Sequence, residues 1–276
     1  MPLIAMNREI GSLGKDVAQG LGDLLGIKVQ HHEMIDHLAN RARVRKSHVI
    51  SFLEGTQGLF ERLTSDHLSL KILTADEIVS LAESSPGGIV LRGWGASSLL
   101  KDVPHVVRVC VTASRRERVK RMMERLETND AEQVGRIVDQ NDEVARAVMR
   151  RHFHIDARDI NEYDLGLNTD RITVEECVDK ISVVLKSPRF AETEASRARL
   201  RDVAISHHVR AALRTHASTS HCCVRVISDE GKLTFEGIVG NIDEKLACEE
   251  IAMRIKGVAR IANHLRTSDI PARLRG

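Results

Sequence analysis

Short apolar runs alternate with amphipathic, helix-like stretches over the first two thirds of the chain. A parallel strand buried on both faces has a nearly continuous apolar sequence, and parallel neighbours are usually joined through helices. The alternation therefore predicts an α/β fold with a parallel sheet flanked by helices. The predicted strands are 3–6, 88–91, 105–111 and 164–169, and the predicted helices include 14–26, ending at a glycine, and 173–186, beginning at a threonine cap.

The length, charge and aromatic content of the chain limit the classes of protein to which it can belong. Its 276 residues suit two domains, and its 41 basic and 39 acidic residues nearly cancel. One Trp, one Tyr and five Phe leave few side chains on which successive bases could stack. We therefore expect no nucleic acid partner.

The five cysteines form no CxxC pair, so their spacing indicates neither a disulfide framework nor a zinc site. The N-terminal segment has no basic region ahead of an apolar run, and no stretch reaches about 18 uninterrupted apolar residues. These features predict a cytoplasmic protein with no transmembrane segment.

A second unit follows a change in composition. The stretch from 187 to 198 is polar, contains Pro188 and is predicted to be a weakly structured linker. After it the pattern becomes helix, strand, strand, helix, strand, which is typical of a small α+β domain. We predict domains at 1–186 and 199–270.

The segment AMNREIGSLGKD links the first strand to the first helix. Glycines let successive backbone N–H groups converge on phosphate oxygens, and the helix N-terminus adds positive potential. Gly14 and Lys15 match the end of a Walker A loop, but Glu9 replaces its first glycine and Asp16 its Ser or Thr. On this evidence alone, an ordinary glycine-rich turn is an equal alternative.

Four segments in the same order resemble the cytidylate-kinase-like family of P-loop nucleoside monophosphate kinases over about residues 1–186. In that family the first Walker glycine is commonly absent. The resemblance implies a P-loop NTPase three-layer fold with a parallel sheet and a helical lid, using ATP and Mg²⁺. The segments are IAMNREIGSLGKDVAQGLGDLLGI, GGIVLRGWGASSLL, VDQNDEVARAVMRRHF and YDLGLNTDRITVEECVDKI.

The resemblance also implies which residues bind nucleotide. Asp16 would be a magnesium ligand, since Asp is a good oxygen donor, although an acid in the first turn of a helix is equally explained by the helix dipole. Asp164 and Thr169 would close the nucleotide pocket, or else form only a strand end and a helix cap. The residues matching the phosphate-binding loop are Arg8, Gly11, Ser12, Leu13, Gly14 and Lys15.

Three positions depart from the family at sites where it carries charge. Trp94 stands where a Gly-Arg-Gly-Ala motif has its arginine, and Arg92, two residues earlier on the same strand face, could substitute. We expect Arg92 and Trp94 to bind substrate, or alternatively to be a surface charge and a packing residue. His31 occupies a position where the family often has aspartate.

The third departure lies in the lid. Ala145 replaces the arginine of an Asp-x-x-Arg element that begins at Asp142, and Arg146 follows it. Such an arginine neutralises charge on the transferring phosphoryl group. The expected catalytic residues are Lys15, Arg146 and Arg115; the basic residues Arg118, Arg150 and Arg151 are further candidates, each also explicable as a solvated charge.

The C-terminal unit resembles a BON domain over about residues 199–267, with Gly231, Gly237 and Gly257 at turns and tight strand positions. BON domains are generally binding modules, so we expect a ligand, a protein partner or self-association as a homo-oligomer. The leading hypothesis for the whole chain is ATP-dependent phosphoryl transfer to a (d)CMP-like nucleoside monophosphate. The alternative is a catalytically impaired nucleotide-binding or sensing protein.

Overall fold

The computed structural model describes residues 1–30, 33–42, 44–47, 49, 66–93, 95–153 and 155–268. Within these ranges the chain forms a five-stranded parallel sheet and a four-stranded mixed sheet. The parallel sheet has the order β2-β3-β1-β4-β5. Its strands are β1 (Leu3–Arg8), β2 (Lys28–Gln30), β3 (Ile89–Arg92), β4 (Val106–Thr112) and β5 (Leu165–Asn168).

The parallel sheet confirms the α/β prediction and all four predicted strands. Sequence reasoning missed β2, which has only three residues and therefore no periodic signal. The central strand β1 pairs with β3 on one side and β4 on the other, so that Leu3 lies opposite both Ile89 and Val106.

Helices cover both faces of this sheet and complete three layers. Alternate residues of β1 enter opposite cores: Leu3 and Ala5 one, Ile4 and Met6 the other. The helices are α1 (Gly14–Leu25), α2 (Glu33–Ala42), α3 (Asp66–Glu83), α4 (Ala96–Leu99), α5 (Arg115–Arg125), α6 (Ala131–Val148) and α7 (Val174–Leu185). A π-helical turn spans Met149–Phe153, and 3₁₀ turns span Ile160–Glu162 and Pro188–Phe190.

Local capping explains where two predicted helices begin or end. Gly26 follows α1 in the left-handed region at φ 64°, which favours glycine. Thr173 and Glu176 form a reciprocal capping box at the start of α7. Both predicted boundaries are confirmed.

The C-terminal part confirms the predicted order of elements. It consists of α8 (Glu194–Thr215), β6 (Cys223–Asp229), β7 (Lys232–Val239), α9 (Ile242–Met253), β8 (Arg260–Asn263) and β9 (Arg266–Thr267). Its core surrounds the fully buried Phe235. Among the helices described, none is both long enough and apolar enough to cross a membrane.

The predicted weakly structured linker is corrected in its second half. Helix α8 begins at Glu194 because Thr193 and Ser196 cap its N-terminus reciprocally. The helix then serves both domains: Leu200, Ala204 and Ala211 pack into the core of the parallel-sheet domain, whereas Ile205, Val209 and Leu213 belong to the C-terminal core.

A charged contact reinforces this shared helix. His208 on α8 lies 2.5 Å from Asp76 and 3.5 Å from Glu83, both on α3, and Arg41 on α2 pairs with Asp76 from the other side. Hydrogen bonds to Asp76 and Glu83 raise the pKa of His208 to about 9. The contact therefore connects three helices through one buried carboxylate.

We predict that stability falls as this histidine loses its proton. Since the folded-state pKa is about 9 and the ordinary value is 6.5, the stabilisation is fully present below pH 6.5 and is lost as the pH rises through 9. Denaturant unfolding should show a decrease of about 2 to 3 kcal/mol over this interval. His208→Gln should remove that decrease and the exposed-site control His264→Gln should retain it; equal pH dependence in both variants would contradict the assignment.

Candidate functional site

The loop between β1 and α1 has the backbone of an anion cradle. Gly11 and Leu13 both adopt left-handed conformations, at φ 75° and 59°. A Cβ atom at Gly11 would also lie 2.9 Å from the carbonyl oxygen of Arg118, so this position requires glycine for two reasons. Leu13 gives α1 no side-chain cap, and the first residues of the helix line a cleft. An uncapped helix N-terminus favours a negative ligand.

The back of the loop is fixed by hydrogen bonds to its carbonyl groups. The hydroxyl of Thr169 donates to the carbonyl of Ser12 at 3.0 Å. Arg121 donates to the carbonyls of Gly11 and Thr169 at 3.3 and 2.7 Å and to the Thr169 hydroxyl at 2.9 Å. Arg121 was not predicted, because nothing in its helical spacing distinguishes it from the other basic residues of α5.

Glu9, which replaces the first Walker glycine, connects the loop to its neighbours. Its carboxylate accepts a hydrogen bond from the Thr112 hydroxyl on β4 and lies 3.6 Å from Nε of Arg118 on α5. Arg118 in turn donates twice to Asp142 on α6, at 2.8 and 2.7 Å, in a buried fork. Glu9 thus anchors the loop to α5 and, through Arg118, to α6.

The loop opens into a cleft of about 660 Å³, here called the loop cleft. Its charged lining contains more cations than carboxylates. The cations are Arg8, Lys15, Arg92, Arg121 and Arg125, and the carboxylates are Glu9, Asp16 and Glu124.

Two of these arginines, Arg8 and Arg92, are crowded by other positive charges. Arg92 is buried at the end of β3, and its Nε has no hydrogen-bond partner among the described residues. Burial lowers the pKa of Arg92 to about 10, the charge of Arg8 adds to this, and Asp16 opposes it. Burial and the charge of Arg125 lower the pKa of Arg8. This concentration of positive charge favours an anionic ligand, which would also accept a hydrogen bond from Nε of Arg92.

A second cleft of about 330 Å³, here called the lid cleft, adjoins the first and shares Arg8 and Glu9 with it. It lies between β1, β4 and β5 on one side and α6 on the other. Polar groups converge there, including Asn7, Asn141, Asp142, Arg146, Arg158 and Tyr163.

The buried end of the lid cleft is polar but not nucleophilic. Tyr163 accepts a hydrogen bond from Asn7 at 2.7 Å and donates to the carbonyl of Ala157 at 3.0 Å. Burial raises the pKa of Tyr163, and it raises that of Cys110 to about 11. Both groups are therefore neutral near pH 7.

The structure brings most of the predicted binding residues together. Lys15, Asp16 and Arg92 line the loop cleft with the rest of the predicted phosphate loop, and Arg146 lines the lid cleft. Thr169 contacts the loop from behind. Trp94 and His31 lie outside the described residues.

Two predicted residues have other contacts. Arg115 forms an exposed ion pair with Asp139, and Asp164 binds the side chain of Arg108, joining β5 to β4. Neither lines the loop cleft or the lid cleft. Arg125 was missed in the sequence for the same reason as Arg121.

Together, the strand order, the glycine-rich loop and the helical pair define a kinase-like nucleotide-binding fold of the P-loop class. The profile of the cytidylate kinase-like family matches residues 3–171, and that of the BON domain matches residues 201–269. Since the first match covers more than half of the chain, this protein belongs to the cytidylate kinase-like family. The relationship supports a phosphotransferase.

The chain is similar to several solved structures at low sequence identity. A protein from Eubacterium ventriosum is 20% identical with a TM-score of 0.54, covering 68% of this chain and 99% of its own. Shikimate kinase from Bacteroides thetaiotaomicron is 13% identical with a TM-score of 0.42, covering 67% and 99%. YorR of Bacillus subtilis, in complex with phosphorylated GDP, is 15% identical with a TM-score of 0.36, covering 69% and 99%. In sequence, the chain matches no curated protein.

We predict that Arg118→Met destabilises the protein by about 3 kcal/mol, since it leaves the Asp142 carboxylate buried without its main partner. The matched control is Arg115→Met, which breaks the corresponding but exposed pair with Asp139 and should leave the free energy of unfolding nearly unchanged. Chemical denaturation measures both. Equal effects would show that the Arg118 pair does not anchor the loop.

Proposed function

We propose that the protein transfers the γ-phosphoryl group of ATP to a nucleoside monophosphate of the (d)CMP type. The observation that carries this proposal is the buried side chain of Arg92, whose Nε has no hydrogen-bond partner among the described residues, in the same cleft as the glycine-rich loop. A phosphate group offers the charge and the acceptor oxygens that this guanidinium requires.

The two clefts suit the two substrates. The triphosphate of ATP would lie over the backbone of Gly11 to Lys15, with the exposed Lys15 ammonium on its outer phosphates. The monophosphate would occupy the lid cleft, with its phosphate directed toward Arg8 and Arg92. The amide, carboxylate and hydroxyl groups of the lid cleft would bind its base and sugar.

Asp16 suits a magnesium ion that accompanies the triphosphate. Its carboxylate is exposed and lines the loop cleft, whereas the buried Ser12 hydroxyl donates to the carbonyl of Glu9. A carboxylate is a preferred magnesium ligand. When bound, the ion would neutralise charge between the phosphates and the Asp16 carboxylate.

The chemistry requires alignment and charge neutralisation more than base catalysis. An acceptor phosphate oxygen forms a bond to the γ-phosphorus, the bond from that phosphorus to the β–γ bridging oxygen breaks, and its electron pair leaves with ADP. Lys15, Arg8 and Arg92 would hold the phosphates in line, and Arg146 would approach from the lid. No strong general base is needed, because the attacking oxygen is already ionised.

A nucleotide-binding protein without phosphoryl transfer is the second candidate. The lid cleft is lined by Ala145, where the family carries an arginine, and Arg118 is occupied by Asp142. Tight calorimetric binding of ATP by folded protein without turnover of any monophosphate would favour this role.

We predict turnover when ATP, Mg²⁺ and CMP, dCMP, UMP or AMP are supplied in a coupled assay that follows ADP. Lys15→Met should lower kcat by about 100-fold or more, since it removes a donor to the transferring group. Lys101→Met is the control: Lys101 is also exposed but lines neither cleft, so this variant should keep full activity. Absence of turnover with every acceptor, in folded protein, would remove the kinase proposal.

We also predict that Arg92→Met separates activity from stability. Because Arg92 is a buried cation whose Nε lacks a hydrogen-bond partner in the part of the chain that the structure describes, the apolar substitute should leave the free energy of unfolding unchanged or raise it, while kcat/KM for the monophosphate falls at least about 100-fold. Denaturation and steady-state kinetics test the two parts. A clear loss of stability with unchanged kinetics would identify Arg92 as a structural residue.

A further inference from the structure

We propose that the C-terminal domain binds one zinc ion through His221, Cys222 and Glu244. These side chains lie far from both clefts in sequence, at the junction between the end of α8 and the start of α9. Each contributes one donor atom, and the three donors lie within 4.8 Å of one another.

Two distances from the carboxylate of Glu244 are close to those between the ligands of one zinc ion. Nε2 of His221 is 3.2 Å from one carboxylate oxygen of Glu244, and Sγ of Cys222 is 3.5 Å from the other. Ligands bound to one tetrahedral zinc at ordinary bond lengths are about 3.4 Å apart for N and O and about 3.6 Å for S and O. Since each distance ends on a different oxygen of Glu244, the carboxylate would turn so that one oxygen shares the ion with Nε2 and Sγ.

The kind and charge of the donors also suit zinc. Thiolate, imidazole and carboxylate are its ordinary protein ligands. One thiolate and one carboxylate with a neutral imidazole balance the two charges of Zn²⁺. On binding, a bond forms between sulfur and zinc and the thiol proton leaves to solvent. Three protein ligands leave the fourth tetrahedral position to water.

The carboxylate is held in place by neighbouring donors. The backbone N–H of Gly240 donates to one oxygen of Glu244 at 2.6 Å, and the side-chain amide of Asn241 donates to the other at 3.1 Å. Such outer contacts fix the direction of a metal ligand. The His221 side chain is 59% exposed, so the ion can enter from solvent.

Zinc at this point would join two segments that are distant in sequence and already meet through the polar contacts of Glu244. His221 and Cys222 follow α8 and precede β6, while Glu244 lies in the first turn of α9. A ligand that binds the folded form alone raises stability by mass action. The inferred role of the ion is therefore to stabilise the C-terminal domain.

Cobalt titration of the full, metal-free chain tests the site. We expect one equivalent of Co²⁺ to produce a thiolate charge-transfer band in the near ultraviolet, and one equivalent of Zn²⁺ to abolish it and raise the thermal midpoint. Cys222→Ser should remove the band and weaken zinc binding by at least about 100-fold. The neighbouring exposed Cys223→Ser is the matched control and should behave as the wild type.

Because His221 is exposed, His221→Ala tests the site even if Cys222→Ser fails to fold. This variant should weaken zinc binding by a similar factor and leave the circular dichroism spectrum unchanged. No cobalt band in the wild type would overturn the proposal. So would equal spectra from Cys222→Ser and Cys223→Ser, or unchanged zinc affinity in His221→Ala.

Discussion

The position of the glycine-rich loop depends on one buried cation, Arg118. Its guanidinium binds Asp142 through two hydrogen bonds and lies 3.6 Å from Glu9, so a single side chain links the loop, α5 and α6. The pair is well compensated, because both carboxylate oxygens of Asp142 accept from it. At the position where Walker loops have their first glycine, this chain has Glu9, whose carboxylate holds the loop against α5 and α6.

A second constraint connects the two domains. Helix α8 contributes apolar side chains to both cores, so neither domain can lose this helix without exposing its own interior. His208 and Asp76 add a charged contact at the same junction. The two domains therefore share a structural element instead of being joined by a flexible segment, and the stability of each depends on the other.

The sequence was most informative where local chemistry decides the structure. Apolar runs located four of the five parallel strands, and Gly26 and Thr173 marked helix boundaries because their caps depend on neighbouring residues alone. Strand β2 has only three residues, which is too short to show a pattern of apolar residues. The start of α8 was missed because the polar composition around Thr193 resembles that of a linker, although it forms a cap.

For the candidate sites, the sequence predicted the contiguous part and missed the residues brought together by folding. Gly11 to Lys15 adjoin one another along the chain, so their pattern was visible. Arg121 and Arg125 acquire a position only when α5 packs beside the loop. In the same way, Cys222 and Glu244 lie 22 residues apart and show no zinc spacing, although their donor atoms meet in the fold.

In the proposed kinase, the loop cleft and the lid cleft hold donor and acceptor phosphates in a single line. A bisubstrate analogue, adenosine joined through five phosphates to the nucleoside of the best acceptor, measures this most directly by titration calorimetry. Since one molecule then occupies both clefts, we expect it to bind at least about 100-fold more tightly than ATP or the monophosphate alone. An affinity no greater than that of ATP would contradict it.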